Sequence, residues 1–253
     1  MTATALLQVK DIAHHFEGLH VLEGVSFSVG ERSVTGLIGP NGAGKSTLFN
    51  IISGFLRPTS GQILYLGKTI TNLSIQRRSY AGLVRTFQTP QVFSELTVRE
   101  NLIAGCYKRG RTGFIKSLLS LPEVRTEFAE ATRLADQTCR EFGLDAVRDQ
   151  VAGRLPTGQQ RLVELARAAI GKPKLLCLDE PSSGLGPEEV SHLMNILRQL
   201  NNRGTTILLV SHDMELMAVS TIIHVLCFGE IIATGGMVEV RAEPRVREAY
   251  LGI

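Results

Sequence analysis

The amino-acid sequence predicts an α/β fold in which a mixed sheet core carries an antiparallel β subdomain and a helical subdomain. Residues 6–29 alternate apolar and polar positions in short pieces, which is typical of antiparallel strands. The apolar runs at 33–38, 175–178 and 205–210 are typical of strands buried in a central sheet. Within 97–152, apolar residues recur at three- and four-residue spacing, which predicts helices.

The length of 253 residues is compatible with one α/β domain. We expect about 1–90 and 160–253 to form the core with its β subdomain, and about 91–159 to form the helical subdomain. Hydrophobic residues make up 43% of the chain and charged residues 20%, which is an ordinary globular balance. The net charge of +3, without a long run of Lys or Arg, argues neither for nor against nucleic-acid binding.

The sequence shows none of the patterns of a membrane helix, a secretory signal, a zinc site or a disulfide framework. No segment reaches the roughly 18 uninterrupted apolar residues of a membrane helix, and the N-terminus lacks a secretory pattern. We therefore expect the chain to reach a membrane only through a partner. The four cysteines form no C-x-x-C pair, so neither a zinc site nor a disulfide framework is indicated. Cys177 and Cys227 stand inside apolar runs, which predicts plain core positions.

A glycine-rich loop follows the predicted strand at 33–38. It fits the pattern G-x-x-x-x-G-K-[ST], in which backbone N–H groups turn inward and bind phosphate. The Lys45 ammonium would act on the β- and γ-phosphates, and Ser46 would bind Mg²⁺ and begin a helix aimed at them. A surface turn that matches by coincidence is the alternative. The residues of this candidate loop are Gly39, Pro40, Asn41, Gly42, Ala43, Gly44, Lys45, Ser46 and Thr47.

Two acids and a histidine follow two of the predicted buried strands. Asp179 and Glu180 end the run at 175–178, and His212 follows the run at 205–210. Because ligands bind at the carboxyl edge of open α/β sheets, we expect these side chains beside the phosphate loop. Asp179 would hold Mg²⁺ through water, Glu180 would orient or deprotonate an attacking water, and His212 would contact the γ-phosphate. A solvated acidic turn and a structural histidine are the alternative.

Phe16 and a basic cluster at 108–116 each allow two interpretations. Phe16, upstream of the phosphate loop, is either a core residue or a ring that stacks on a nucleotide base. A basic cluster is either a solvated face or a contact with lipid headgroups. Its members are Lys108, Arg109, Arg111 and Lys116.

Together these motifs resemble the ATP-binding subunits of ABC transporters, in that family's order and approximate spacing. The matching elements are the phosphate loop, Gln88 of RTFQ, the LPTGQQ segment at 155–160, the run LLCLDEP and the histidine of SHD. The resemblance covers nearly the whole chain. It implies a two-lobed subunit that works as a dimer, hydrolyses ATP with Mg²⁺ and lies peripherally at the cytoplasmic face of the inner (cell) membrane.

The resemblance also implies roles for individual residues. Phe16 would stack on adenine, and Gln88 would sense the γ-phosphate and contact a membrane subunit. The residues that would face the ATP of the opposite subunit are Thr157, Gly158 and Gln159. The implied catalytic residues are Lys45, Glu180 and His212. The implied Mg²⁺ ligands are Ser46, Gln88 and Asp179.

Three positions depart from the family's usual pattern. Pro156 replaces the serine of the usual LSGGQ, whose hydroxyl would reach phosphate, and this puts the role of Thr157 in question. Gly186 stands where an acid is usual, in a loop that would cross the dimer interface. Phe16 replaces the commoner tyrosine, a change that stacking tolerates because it needs only the ring.

Within the family, the long helical insert after ENL, the LPTGQQRLVELARA wording and the C-terminal REAYLG resemble the ATPase subunits of branched-chain amino acid importers. The alternatives are urea or amide uptake, lipopolysaccharide-type export and a non-transport ABC ATPase. A small-molecule kinase with a phosphate loop does not explain the LPTGQQ helix and SHD.

The implied partners are two membrane-spanning permease subunits, a second ATPase subunit (paralogous or identical) and, indirectly, a periplasmic or lipid-anchored solute-binding protein. No nucleic acid is expected. The loop after Gln88 carries Val92, Phe93 and Leu96, apolar residues that a lone domain would replace by polar ones. We therefore expect a groove between the two lobes, near Gln88 and Phe93, to hold a short helix of a membrane subunit.

Overall fold

The computed structural model describes residues 5–106 and 122–251, which form two compact units. The first unit contains the residues up to Arg85, Lys174–Ser183 and the residues from Val190 onward. The second contains the described part of Thr86–Pro173 together with Gly184–Glu189. The second unit therefore extends further at both ends than the 91–159 predicted for the helical subdomain. The basic cluster at 108–116 lies outside the described residues.

The described residues form strands and helices with the following bounds. The strands are β1 (Ala5–Phe16), β2 (Leu19–Gly30), β3 (Val34–Ile38), β4 (Ser60–Tyr65), β5 (Lys68–Thr69), β6 (Leu83–Arg85), β7 (Leu175–Asp179), β8 (Thr206–Val210), β9 (Ile222–Cys227) and β10 (Glu230–Gly235). The helices are α1 (Lys45–Ser53), α2 (Ile75–Tyr80), α3 (Val98–Gly105), α4 (Pro122–Glu141), α5 (Thr157–Ile170), α6 (Pro187–Asn202), α7 (Met237–Ala242) and α8 (Pro244–Leu251).

The first unit contains a mixed six-stranded sheet with the order β10-β9-β3-β8-β7-β6. Its pairs are parallel except for β9 with β10, which form an antiparallel hairpin. Every residue of β3, β7 and β8 is buried, as expected for parallel strands covered on both faces. The three apolar runs of the sequence are therefore neighbours in one sheet, and their carboxyl ends meet at one edge.

An antiparallel four-stranded sheet with the order β2-β1-β4-β5 contains the N-terminal segment. It confirms the antiparallel strands predicted from the alternation at 6–29. Its apolar side chains and those of α1 belong to one buried cluster that includes Leu7, Ile12, Phe49 and Ile63. The first unit thus has a continuous core that includes α1 and fixes the position of the loop before it.

A fully buried arginine completes the C-terminal end of α1. The Arg78 guanidinium donates hydrogen bonds to the carbonyl oxygens of Ile51 and Ile52, both at 2.6 Å. It also donates to the carbonyls of Thr71 and Leu73, at 2.8 and 3.1 Å. Because the last carbonyls of a helix lack partners within the helix, Arg78 fixes the end of α1 to the segment before α2. Burial lowers the pKa of Arg78 to about 10.

The second unit is built from α3, α4 and α5, with contacts among all three. Helix α3 begins with a capping box, in which the Thr97 hydroxyl accepts from the Glu100 N–H and the Glu100 carboxylate accepts from the Thr97 N–H. Among the described residues, none of the helices combines the length and apolar character needed to cross a bilayer. The four cysteines are free and buried, which confirms the core positions of Cys177 and Cys227.

Candidate functional site

The glycine-rich loop turns sharply between β3 and α1. A Cβ at Gly39 would lie 2.0 Å from the carbonyl oxygen of Leu226, so only glycine fits this close approach. Gly44 has a φ of +100°, and a Cβ there would lie 2.8 Å from the carbonyl oxygen of Val21. Helix α1 begins at Lys45, one residue before the predicted start, and has no side-chain cap. The first-turn N–H groups of α1 are therefore available to an anion at this loop.

The Lys45 ammonium folds back over the same loop. Its Nζ donates to the carbonyl oxygens of Gly39 and Pro40, at 2.7 and 2.9 Å. Burial lowers the pKa of Lys45, while the negative charges of Glu180 and Asp179 raise it. A cation held over a glycine-lined turn, within the electrostatic influence of two carboxylates, fits a polyphosphate that carries a divalent cation.

Glu180 and His212 meet because β7 and β8 are neighbours. The Glu180 Oε2 lies 2.8 Å from Nδ1 of His212 and accepts the His212 backbone N–H at 3.3 Å. The backbone N–H of Glu180 donates to the Val210 carbonyl, which ties the end of β7 to β8. Glu180 has a φ of +48°, a left-handed conformation that is uncommon for a non-glycine residue and occurs at functional sites.

Asp179 has a buried cationic partner that sequence reasoning missed. Its Oδ2 accepts from Nη2 of Arg85 at 2.7 Å, and both side chains are buried. The same guanidinium donates to Asn50 Oδ1 at 2.7 Å and to Ser53 Oγ at 2.9 Å. Arg85 therefore joins the end of β7 to α1. The signal available in the sequence was the arginine of RTFQ on an otherwise apolar strand.

Phe16 ends β1 and is 47% exposed. The core interpretation of Phe16 is therefore wrong, because a core side chain would be buried. The Phe16 and buried His14 rings meet in a T-shaped contact with a centroid distance of 4.5 Å and an interplanar angle of 82°. The exposed part of Phe16 is available to a flat ligand.

The remaining predicted site residues belong to the second unit. Gln88 is exposed in the loop after β6. Thr157, Gly158 and Gln159 form the first turn of α5, whose N-cap is Pro156 and which has no side-chain cap. A Cβ at Gly158 would lie 2.7 Å from Glu189 Oε1, so this turn packs closely against the first turn of α6. The proline gives this turn no hydroxyl, and the adjacent Thr157 is exposed.

The two units thus divide the predicted residues. At the carboxyl edge of the six-stranded sheet, the first unit brings together the phosphate loop, Asp179, Glu180 and His212. The second unit holds Gln88 and the first turn of α5. In the first unit, the negative charges of Glu180 and Asp179 raise the pKa of Lys45, and Glu180 is hydrogen-bonded to a histidine. Such a set can bind phosphate and position water.

Comparison with known sequences gives a family for this architecture. The ABC transporter family matches residues 22–183, and a family described as branched-chain amino acid ATP-binding cassette transporter matches residues 230–253. The chain is 40% identical to the high-affinity branched-chain amino acid transport ATP-binding protein LivG of Salmonella typhimurium, over 98% of each chain. It is 38% identical to BraF of Pseudomonas aeruginosa, a protein of the same description, again over 98% of each chain.

Another relative has a different described role. The lipopolysaccharide export system ATP-binding protein LptB of Haemophilus influenzae is 33% identical, over 98% of each chain. Among solved structures, a nucleotide-free ATP-binding cassette from an ABC transporter superposes with a TM-score of 0.84 and 35% identity, over 99% of this chain and 100% of that one. The predicted ABC ATPase fold is thereby confirmed. The chain belongs to the ABC transporter family, as one of its ATP-binding subunits.

Proposed function

We propose that this chain hydrolyses ATP to drive the uptake of branched-chain amino acids through membrane-spanning permease subunits. ATP hydrolysis follows from the family, and the Glu180–His212 pair beside the phosphate loop is the observation that carries the mechanism. The cargo is proposed from LivG and BraF, whose described role is branched-chain amino acid transport. The match of residues 230–253 to the family of that name supports the same cargo.

The phosphate loop would bind the β- and γ-phosphates through the first-turn N–H groups of α1 and through Lys45. Lys45 now donates to two carbonyls of its own loop, and it would exchange these for phosphate oxygens. Phe16 would stack on the adenine through its exposed face. When bound, Mg²⁺ would neutralise phosphate charge, with Ser46, Asp179 and Gln88 as the candidate residues for holding it.

Glu180 would orient the attacking water and accept its proton while the bond between the γ-phosphorus and the bridging oxygen breaks. The 2.8 Å contact between Glu180 Oε2 and His212 Nδ1 would keep the carboxylate in place. The second ring nitrogen of His212 would then face the γ-phosphate. Arg85 would hold Asp179 in a fixed orientation through its 2.7 Å bond. These roles agree with the left-handed backbone at Glu180, a conformation that occurs at functional sites.

The proposed partners are a second ATPase subunit, two permease subunits and, indirectly, a solute-binding protein. Thr157, Gly158 and Gln159 would face the ATP of the second subunit, because a helix N-terminus without a side-chain cap suits an anion. Gln88 and the exposed ring of Phe93 would contact a permease subunit. The chain would then act at the cytoplasmic face of the cell membrane.

The test begins with Glu180→Gln in the purified chain with Mg-ATP. We expect ATP binding to persist and kcat to fall roughly 10²-fold or more, which is the size of a general-base effect. Glu188→Gln makes the same change at an exposed position on α6 and should leave kcat unchanged. Near-normal hydrolysis by Glu180→Gln would remove Glu180 from this role.

The cargo is tested separately, in cells that lack the chromosomal copy of this gene. Expression of the chain should restore uptake of labelled leucine, and Glu180→Gln should not. Co-purification with permease subunits and a solute-binding protein would support import. Normal leucine uptake without the chain, together with impaired lipopolysaccharide export, would contradict the proposed cargo and favour the role described for LptB.

A further inference from the structure

Three charged side chains on one face of α5 contact the backbone of the loop that carries Gln88. Arg161, Glu164 and Arg167 are spaced three residues apart, so they project from the same side of the helix. Their partners lie in the segment 87–91, which belongs to the same unit as α5. Helix α5 begins with Thr157. The helix that contacts the Gln88 loop through these side chains therefore also contains the Thr157–Gln159 turn.

Glu164 holds the loop at two points on either side of Gln88. Its Oε1 accepts the backbone N–H of Phe87 at 3.2 Å, and the backbone N–H of Gln91 acts on the same carboxyl and lowers its pKa. The residue is only 4% exposed, so water does not replace these bonds easily. One carboxylate therefore acts on both ends of the five-residue segment 87–91, whose second residue is the exposed Gln88.

The two arginines complete the attachment. Arg161 Nη2 donates to the Gln88 carbonyl at 3.0 Å, and Arg167 Nη2 donates to the Gln91 carbonyl. The Arg167 guanidinium also lies over the Phe93 ring, 4.7 Å from its centroid. The loop backbone thus receives hydrogen bonds from the arginines and gives them to Glu164, while the Gln88 side chain stays outside this network.

We propose that Glu164 is a positioning residue, which anchors the Gln88 loop to α5 so that Gln88 and the Thr157–Gln159 turn move together. This inference rests on the roles of Gln88 and of that turn in the proposed function. Gln88 would sense the γ-phosphate of the chain's own ATP, and the turn would face the ATP of the second subunit. The anchor would make the position of the Thr157–Gln159 turn depend on the position of Gln88, and the reverse.

The anchor responds to pH because its acceptor is a carboxylate. Burial raises the pKa of Glu164 to about 7, and the N–H bonds from Phe87 and Gln91 and the charges of Arg167 and Arg161 oppose this rise. These two arginines are the charged groups that act on Glu164. A protonated carboxyl is a weaker acceptor than a carboxylate, so its hold on the two N–H groups weakens as the pH falls through 7.

A tryptophan reporter measures the anchor without ATP. The chain contains no Trp, so Phe93→Trp places a single indole under the Arg167 guanidinium. In the full-length chain we expect its emission to change with a midpoint near pH 7, and the change to vanish in Phe93→Trp with Glu164→Gln. Glu95→Gln, at an exposed position of the same loop, is the matched control and should keep the transition.

Steady-state kinetics then test the consequence for hydrolysis. Glu164→Gln should lower kcat about tenfold or more, since misplacement of a site group has effects of this size, while KM for ATP stays within about twofold. The limb of the kcat–pH profile near pH 7 should flatten in the variant. A purely structural role would lower the melting temperature and leave both the KM-to-kcat split and the pH profile unchanged.

The outcomes separate this inference from the proposed function. Absence of an emission transition in Phe93→Trp, or an identical transition after Glu164→Gln, overturns the anchor. The first of these results needs only the Phe93→Trp chain, so it decides the question even where Glu164→Gln does not fold. A Glu164-dependent transition in a chain that does not hydrolyse ATP supports the anchor and overturns the proposed function.

Discussion

The buried carboxyl of Glu164 makes the stability of this protein depend on pH in a calculable way. Its pKa is 4.5 in the unfolded chain and about 7 in the folded one, because burial penalises the charged form. The folded state therefore binds more protons than the unfolded state between these values, so the free energy of unfolding falls as the pH rises through this interval. Well above pH 7 the carboxyl is fully ionised, and the free-energy penalty for the buried charge is complete.

The size of the effect follows from the same two values. One pKa unit corresponds to about 1.4 kcal/mol, so the whole interval amounts to about 3 kcal/mol. The part that is lost between pH 5.5 and pH 8.0 is about 2 kcal/mol. Glutamine does not titrate, so Glu164→Gln removes this contribution and leaves those of all other groups in place. Relative to the variant, the wild-type chain should lose about 2 kcal/mol over this range.

Urea unfolding of wild type and Glu164→Gln at pH 5.5 and pH 8.0 gives the free energy of unfolding of each. The test compares the difference between the two chains at pH 5.5 with the same difference at pH 8.0. Glu95→Gln, which removes an exposed carboxylate from the same unit, should show a difference from wild type that does not change with pH. If the stability difference between wild type and Glu164→Gln is the same at both values, the pKa of Glu164 is not raised by burial. A change of opposite sign would mean that the two N–H bonds and the arginines outweigh burial.

The remaining predictions concern the phosphate loop, the permease contact and the end of α1. Lys45→Ala should weaken ATP binding and abolish turnover together, because its charge acts on the ground-state phosphates; unchanged affinity by calorimetry with Mg²⁺ would show that the loop is not the phosphate site. Phe93→Asp should leave folding and ATP binding intact but prevent co-purification with the permease subunits and abolish uptake, since the exposed ring would contact them; normal assembly and transport would contradict the docking role. Arg78→Met should destabilise the first unit by about 3 kcal/mol or more, because buried carbonyls at the end of α1 lose their donors; a loss below about 1 kcal/mol in urea unfolding would contradict that assignment.

Much of the fold could be predicted from neighbouring residues alone. The apolar runs that became β3, β7 and β8, the helical periodicity of α6 and the glycine-rich loop are local patterns, because strand, helix and turn preferences act over a few residues. The sequence missed α2, which is only six residues long and whose start depends on a bond from the Arg77 N–H to the Ser74 hydroxyl. The second unit contains the whole of α5, beyond the boundary near residue 159 expected from the sequence, since the pattern of an amphipathic helix does not show which unit covers its apolar face.

The candidate site divides in the same way. The sequence by itself determined the phosphate loop and the acids and histidine at the strand ends, because parallel strands bring their carboxyl ends to one edge. Only the tertiary structure decided which charges those residues meet. Arg85 reaches Asp179 across 94 positions of sequence, and Glu164 reaches the Phe87 backbone across 77. The physical reason is that a buried charge needs a partner within hydrogen-bond distance, and nothing in a sequence gives distances between residues that only folding brings together.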